Sequence, residues 1–226
     1  MKLFIDIETI PTGEKPQLSE LKPPAQMTKA ETIQKWWEDT EAREADLDKI
    51  YRKRALDYMQ GRVLCIGYAI EDGPVAGIIN DSEDALFKQL EANLMENKTV
   101  ESMFRQGSPV VWVSYNGRAF DYPYLSLRAA KYGCDFLSMA LRPFNEREHL
   151  LDVMKIITHT DYKGMVSLED ACNFFGIPTS KEEMDGSMIY DEYLAGNGEG
   201  ILKYCMADVE AMRKVYYKLV GRANVV

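Results

Sequence analysis

Histidine is nearly missing from this sequence: there are two, His149 and His159, in 226 residues. A hydrolase built on several histidine ligands, or on repeated histidine acid–base steps, is all but excluded. Cysteine is sparse as well. The four residues Cys65, Cys134, Cys172 and Cys205 lie far apart with no CxxC or CxxH pair. That argues against a structural zinc site and fits the reduced thiols of a cytoplasmic protein. Long apolar runs are absent; Val63–Ile70 is typical of the longest, so no membrane span is expected. The first residues reach an acid at Asp6, which predicts no signal peptide. Positive charge is in deficit, with 27 Lys and Arg against 36 Asp and Glu, a net −9. The chain therefore lacks the global basic footprint that phosphate binding usually leaves. That is only a sum, and a site for divalent cations must itself be acidic.

What is present fits a globular chain of one large domain or two small ones. Residues 3–8 (Leu-Phe-Ile-Asp-Ile-Glu) read as a strand. Residues 12–25 hold Pro16, Pro23 and Pro24 and read as an extended connection. Residues 28–59 are rich in charge, with Leu47, Ile50, Tyr51 and Tyr58 at helical spacing, so one or two helices are expected. Residues 12–59 carry nine basic and ten acidic side chains and read as a helical insertion in a single domain spanning 1–226. Arg62–Ile70 and Val75–Ile79 flank Glu71-Asp72-Gly73-Pro74, a hairpin signal. Ser82 starts a helix to about Glu96, Val110–Tyr115 is a continuous apolar strand, and a helix from about Phe120 to Tyr132 is closed by Gly133. His149–Val153 predicts a further strand. Helices follow over Ser167–Phe175, Met188–Leu194 and Glu199–Val220. The order predicts a mixed α/β three-layer domain.

Three acidic segments stand out. Asp6 and Glu8, two apart on a strand, share one face while Ile5 and Ile7 point into apolar packing. Side-by-side carboxylates repel, and a divalent cation would relieve them; an exposed edge strand would show the same pattern. Asp121 follows Asn116-Gly117-Arg118-Ala119-Phe120 at the start of a helix. An acid there is ordinary dipole complementation, yet the end of a central strand is where α/β sheets place ligands. Tyr204 and Asp208, at i and i+4, share a helix face, as would a simple surface pair.

Taken together the three segments, with Phe4-Ile5-Asp6-Ile7-Glu8-Thr9, Ser114-Tyr115-Asn116-Gly117-Arg118-Ala119-Phe120-Asp121 and Tyr204-Cys205-Met206-Ala207-Asp208-Val209, resemble the motifs of the DEDD 3′–5′ exonucleases. The run Ser167-Leu168 through Ile177, then Asp185-Gly186, matches as well. The tyrosine marks the DEDDy branch, since the histidine branch would carry His where Lys203 stands. The chain is similar to a stand-alone version of the proofreading exonuclease domain of family B DNA polymerases. The long 12–59 segment departs from that pattern.

The resemblance implies a ribonuclease H-like fold, with a five-stranded mixed sheet flanked by helices. It implies hydrolysis at a single-stranded 3′ end, DNA in preference to RNA, releasing nucleoside 5′-monophosphates with two divalent cations, Mg²⁺ or Mn²⁺. Asp6 would bridge the ions, Glu8 and Asp208 would complete one, Asp121 would support the other, and Tyr204 would orient the water. Thr9, Ile10, Asn116 and Phe120 would contact nucleic acid by motif position, although packing and turn formation would explain the last two equally. Lys203, Arg213 and Lys214 would either meet phosphates or form a solvated helix face. A non-catalytic nucleic-acid-binding or partner-binding module on the same fold is the alternative. Trp36-Trp37 would serve a partner if exposed, and the core if buried.

Overall fold

A computed structural model describes residues 1–141, 149–159, 164–179 and 184–221. The chain divides into two compact units, one of Met1–Thr9 with Val63–Val226 and the other of Ile10–Arg62.

The larger unit is built on β1 (Lys2–Pro11), β2 (Gly61–Ile70), β3 (Ala76–Ile79), β4 (Val111–Ser114) and β5 (Leu150–Asp152), the ends of β1 and β2 running into the smaller unit. Their order in the sheet is β3-β2-β1-β4-β5. β1 runs parallel to β4, with Phe4 opposite Val113, and β4 parallel to β5, with Ser114 opposite Asp152. β2 and β3 form the expected antiparallel hairpin, so the sheet is mixed. The alternation read from β1 holds. Leu3, Ile5 and Ile7 enter one core cluster, shared with the helices α3 (Glu83–Glu96), α4 (Lys98–Arg105), α5 (Asp121–Tyr132) and α6 (Asp135–Ala140). Phe4 enters the opposite cluster, with α7 (Val153–Thr158), α8 (Leu168–Phe175) and α10 (Gly198–Leu219). There its ring meets Tyr216 and Tyr217 edge-on, each at 5.6 Å. The sheet between two helical layers is the ribonuclease H-like fold.

The helix ends follow local chemistry. Ser82 accepts the Ala85 N–H to begin α3, and Ser167 forms a capping box with Asp170 to begin α8. Gly133 and Gly176 end α5 and α8 in left-handed conformation. The short α9 (Ile189–Leu194) precedes α10 as expected. Gly67 and Gly77 pair across the hairpin beneath α10. A Cβ on Gly67 would stand 3.0 Å from the Cys205 carbonyl oxygen, so the missing side chain lets the helix lie close to the sheet. Helices α4, α6 and α7 were not expected. Asn97 separates α4 from α3 by accepting the Thr99 and Val100 N–H groups. The predicted strand at His149–Val153 stops at Asp152, which caps α7. Arg213 donates to the Glu71 and Gly73 carbonyls and pairs with Glu210, as does Lys214, so both are engaged within the protein and the phosphate role is not supported.

The smaller unit holds the two expected helices, α1 (Ala30–Glu38) and α2 (Thr40–Lys53), the latter capped by Asp39. Its flanking segments are tied together: Arg54 Nη1 donates to the Glu14 carbonyl at 2.6 Å, and Thr12 Oγ1 to the Gln60 carbonyl at 2.8 Å. The tryptophans do not form a buried pair. Trp37 is 38% exposed, and Trp36 is half-buried beneath the Arg43 guanidinium, 3.7 Å above its ring. Among the described residues no helix is long and apolar enough to cross a membrane.

Candidate active site

Three elements deliver the acidic residues to one end of the sheet. β1 presents Asp6 and Glu8 on the face of Phe4, because side chains alternate along a strand. The turn after β4 places Asp121 as the first residue of α5, where it is almost fully buried at 1% exposure. Helix α10 brings Tyr204 and Asp208 over the same face of β1.

These groups act on one another electrostatically. Asp6 is held well above the usual carboxylate range, first by burial and then by the negative charges of Asp121, Glu8 and Asp208. Burial raises Glu8 in the same way, with Asp208 the largest of the charges acting on it. Asp121 is pushed up to about 8, chiefly by burial and also by Asp152, against the opposing pull of hydrogen bonds from its own amide and that of Ile7. Among the described residues, the groups that act most strongly on these three are other acids, cysteine thiols and backbone amides. One oxygen of Asp121, Oδ1, is buried without a hydrogen-bond partner. Mutually repelling carboxylates, one of them fully buried with an orphaned oxygen, are costly in a protein alone. A hard divalent cation removes that cost, so the residues present fit one. Asp6 and Glu8 also stand with Cys205 so that one donor atom of each lies within 4.8 Å of the others.

Tyr204 is 7% exposed. Burial, followed by the charges of Asp208 and Glu8 and a hydrogen bond to the Asp208 carboxylate, holds its phenol far above its ordinary value. It is a donor at neutral pH. The structure thus brings Asp6, Glu8, Asp121, Tyr204 and Asp208 together. Of the expected nucleic-acid contacts, Phe120 is partly exposed and packs edge-on against Tyr124 at 5.4 Å. Asn116 adopts a left-handed φ of 58° in the turn. Thr9 and Ile10 are buried, at 7% and 2% exposure.

Two residues of the site escaped the sequence reading. The Cys205 thiol lies 3.5 Å from the Asp6 carbonyl oxygen and 3.6 Å from Asp6 Oδ2. Its place between Tyr204 and Asp208 was the available signal. Asp152, at 2% exposure, accepts the Asn116 N–H at 2.9 Å and the Arg118 N–H at 3.3 Å. An acid ending a strand beside the central one was its signal.

The sequence family described as predicted 3′–5′ exonucleases related to the exonuclease domain of PolB matches residues 75–220. That span holds Asp121, Tyr204 and Asp208, and Asp6 and Glu8 precede it. No curated protein matches the chain. Among solved structures, the family B DNA polymerase of the hyperthermophilic archaeon Pyrobaculum calidifontis is similar in fold, with TM-score 0.54 and 17% identity. The similarity covers 97% of this chain, which spans 24% of the length of that polymerase.

Proposed function

The chain belongs to the family of predicted 3′–5′ exonucleases related to the exonuclease domain of PolB, and from that premise we propose that it removes nucleotides from single-stranded 3′ ends in a metal-dependent reaction. The substrate is DNA in preference to RNA, and the products are nucleoside 5′-monophosphates. The observation that carries this reading is the mutually repelling cluster of Asp6, Glu8 and Asp121 beneath Tyr204 and Asp208.

Asp6, Glu8, Asp121 and Asp208 would hold two Mg²⁺ or Mn²⁺ ions, which when bound neutralise phosphate charge and make water a stronger nucleophile. The protein's own part is positioning. The Asp121 carboxylate accepts a hydrogen bond from the Ile7 amide of β1, the neighbour of Asp6 in the strand. Tyr204 keeps its proton and orients the attacking water through its hydroxyl, with no role as general base. Phe120 and Asn116, both partly exposed, suit contact with the terminal nucleotide, a role that burial disfavours for Thr9 and Ile10. Residues 12–59 act as an insertion in one exonuclease domain and govern substrate access. The protein works in the cytoplasm, where its four free thiols would persist.

The test is a gel. DNA single strands, duplex DNA and RNA, each labelled at the 5′ end, are incubated with Mg²⁺, with Mn²⁺ or with chelator. The expected result is a descending ladder from single-stranded DNA that chelator abolishes. Binding without shortening in either metal would overturn the proposal in favour of a non-catalytic module.

A further inference from the structure

Asp152 is a buried carboxylate whose hydrogen bonds exceed what its own helix needs. As the cap of α7 it accepts the Lys155 N–H, but at 3.4 Å, a long contact. Its better bond is to a different element: the Asn116 N–H, 2.9 Å from the same oxygen, while the other oxygen takes the Arg118 N–H at 3.3 Å. The carboxylate is therefore aimed mainly at the turn after β4, and a serine would have served for the cap alone.

That turn is tightly constrained. Asn116 sits in the left-handed region, which a non-glycine residue occupies only when its surroundings demand it. At Gly117 the backbone folds back onto the end of β4, so that a Cβ there would lie 1.6 Å from Ser114 Oγ and 3.3 Å from Asp121 Oδ2. The Gly117 carbonyl in turn accepts the Tyr122 N–H at 2.9 Å and the Phe120 N–H at 3.3 Å, and so caps the helix that begins with Asp121. A continuous path runs from the Asp152 carboxylate through the Asn116 and Arg118 amides and the Gly117 carbonyl to Asp121. Tyr122 supplies a parallel tie, its hydroxyl 2.7 Å from the Leu151 carbonyl oxygen, next to Asp152.

We propose that Asp152 is a positioning residue for the reaction: it clamps the Asn116–Arg118 turn and so sets the Asp121 carboxylate against Asp6 for metal binding. The proposal rests on the nuclease reading given above. Asp152 touches neither substrate nor ion. Its effect is on where Asp121 stands, and so on metal affinity and turnover with little change in KM.

The experiment compares wild type, Asp152→Asn, Asp152→Ala and a remote control, Ser167→Ala, which removes the α8 cap. Mn²⁺ binding is measured by calorimetry on each folded protein, alongside kcat and KM on single-stranded DNA. Asp152→Ala should weaken Mn²⁺ binding by about 10- to 100-fold and lower kcat comparably, as loss of an outer-shell partner does. Asp152→Asn keeps the oxygen that takes the Asn116 and Lys155 amides but turns its NH₂ toward the Arg118 amide, so it should fall between wild type and Asp152→Ala. If Asp152→Ala does not fold, Asp152→Asn carries the test, with a several-fold loss expected in both readouts. Ser167→Ala should lower the melting temperature and leave Mn²⁺ affinity unchanged. Wild-type Mn²⁺ affinity and kcat in a folded Asp152 variant would overturn the proposal. A wild-type protein that neither binds Mn²⁺ nor cleaves would instead overturn the nuclease reading itself.

Discussion

Glu83 and Asp121 are both acids in the first turn of a helix, and both are buried. Their surroundings differ. The Glu83 carboxylate accepts the Val63 N–H at 2.7 Å, the Arg128 Nε–H at 2.9 Å and the Tyr132 hydroxyl at 2.7 Å. Its charge is offset and both of its oxygens are occupied. Asp121 has two backbone amides, an orphaned oxygen, and Asp6 and Asp152 as neighbours of like charge. Favourable interaction with the helix dipole explains an acid at either position. Only at Glu83 does the protein complete the arrangement from its own side chains. The chemistry of the Asp121 cluster fits a divalent cation, as the proposed function requires.

The sharpest way to break this contrast is to remove one charge from each cluster. On the proposed function, Asp6→Ala should lower the hydrolysis rate by at least about a thousandfold, since it would delete a metal-holding carboxylate. The same variant should melt higher than wild type in chelator, because a carboxylate that repels its neighbours is gone. Arg128→Ala should do the reverse. It leaves Glu83 buried without its partner, at a cost of roughly 3–5 kcal/mol in stability, while the folded fraction turns over normally. Calorimetry in chelator and single-turnover rates in Mg²⁺ decide the matter. A drop in melting temperature for both variants would erase the distinction.

A smaller effect is expected from Tyr204→Phe. Losing one orienting hydrogen bond should cost about 1–3 kcal/mol, or roughly ten- to a hundredfold in rate, with metal affinity nearly unchanged. Because Tyr204 is held protonated by burial and by Asp208, the pH–rate profile of the variant should keep the wild-type shape. A rate as low as that of Asp6→Ala with normal metal binding would make the phenol essential to the chemistry, and a wild-type rate would remove it from the site.

The smallest effect is on stability against pH in chelator. Asp121 has a folded value of about 8 against an ordinary 3.8, so between those values the folded protein keeps a proton that the unfolded chain has released. The associated stability is complete below about pH 4 and is lost as pH rises through 8. Between pH 6 and 8, where ordinary carboxylates no longer titrate, the melting temperature in chelator should therefore fall. Mg²⁺ should restore more stability at pH 8 than at pH 6, because ligands must lose their protons to bind it. A melting temperature that climbs from pH 6 to pH 8 without metal would contradict the electrostatic picture.

Much of this was legible in the residues alone. The alternation Leu3, Ile5, Ile7 against Phe4, Asp6, Glu8 gave the two faces of β1, and Ser82, Ser167, Gly133 and Gly176 marked helix ends through local hydrogen bonding and backbone conformation. What escaped depends on neighbours distant in the chain. Asp152 looks like an ordinary strand-end acid until the Asn116 amide, 36 residues earlier, is placed against it. Cys205 looks like one more apolar position on α10 until β1 brings Asp6 beneath it. Helix α4 was missed because only Asn97 separates it from α3, with neither glycine nor proline to mark the break. The burial of the α1 tryptophans was left open for a related reason, since Arg43, seven residues along, covers one ring in place of a core.

Gly67 bears on engineering as much as on folding. The height of α10 above the sheet, and with it the reach of Tyr204 and Asp208 toward Asp6, is gauged by a single absent methyl group facing the Cys205 carbonyl oxygen, which cannot swing aside. At Gly77 the atoms in the way are the flexible ends of Leu202 and Met206, which can. Position 67 is thus a shim slot and position 77 a cushioned one. Side chains of graded bulk inserted at 67 would shift the spacing within the acidic cluster by tenths of an ångström with every acidic residue left in place, an adjustment housed entirely in the framework.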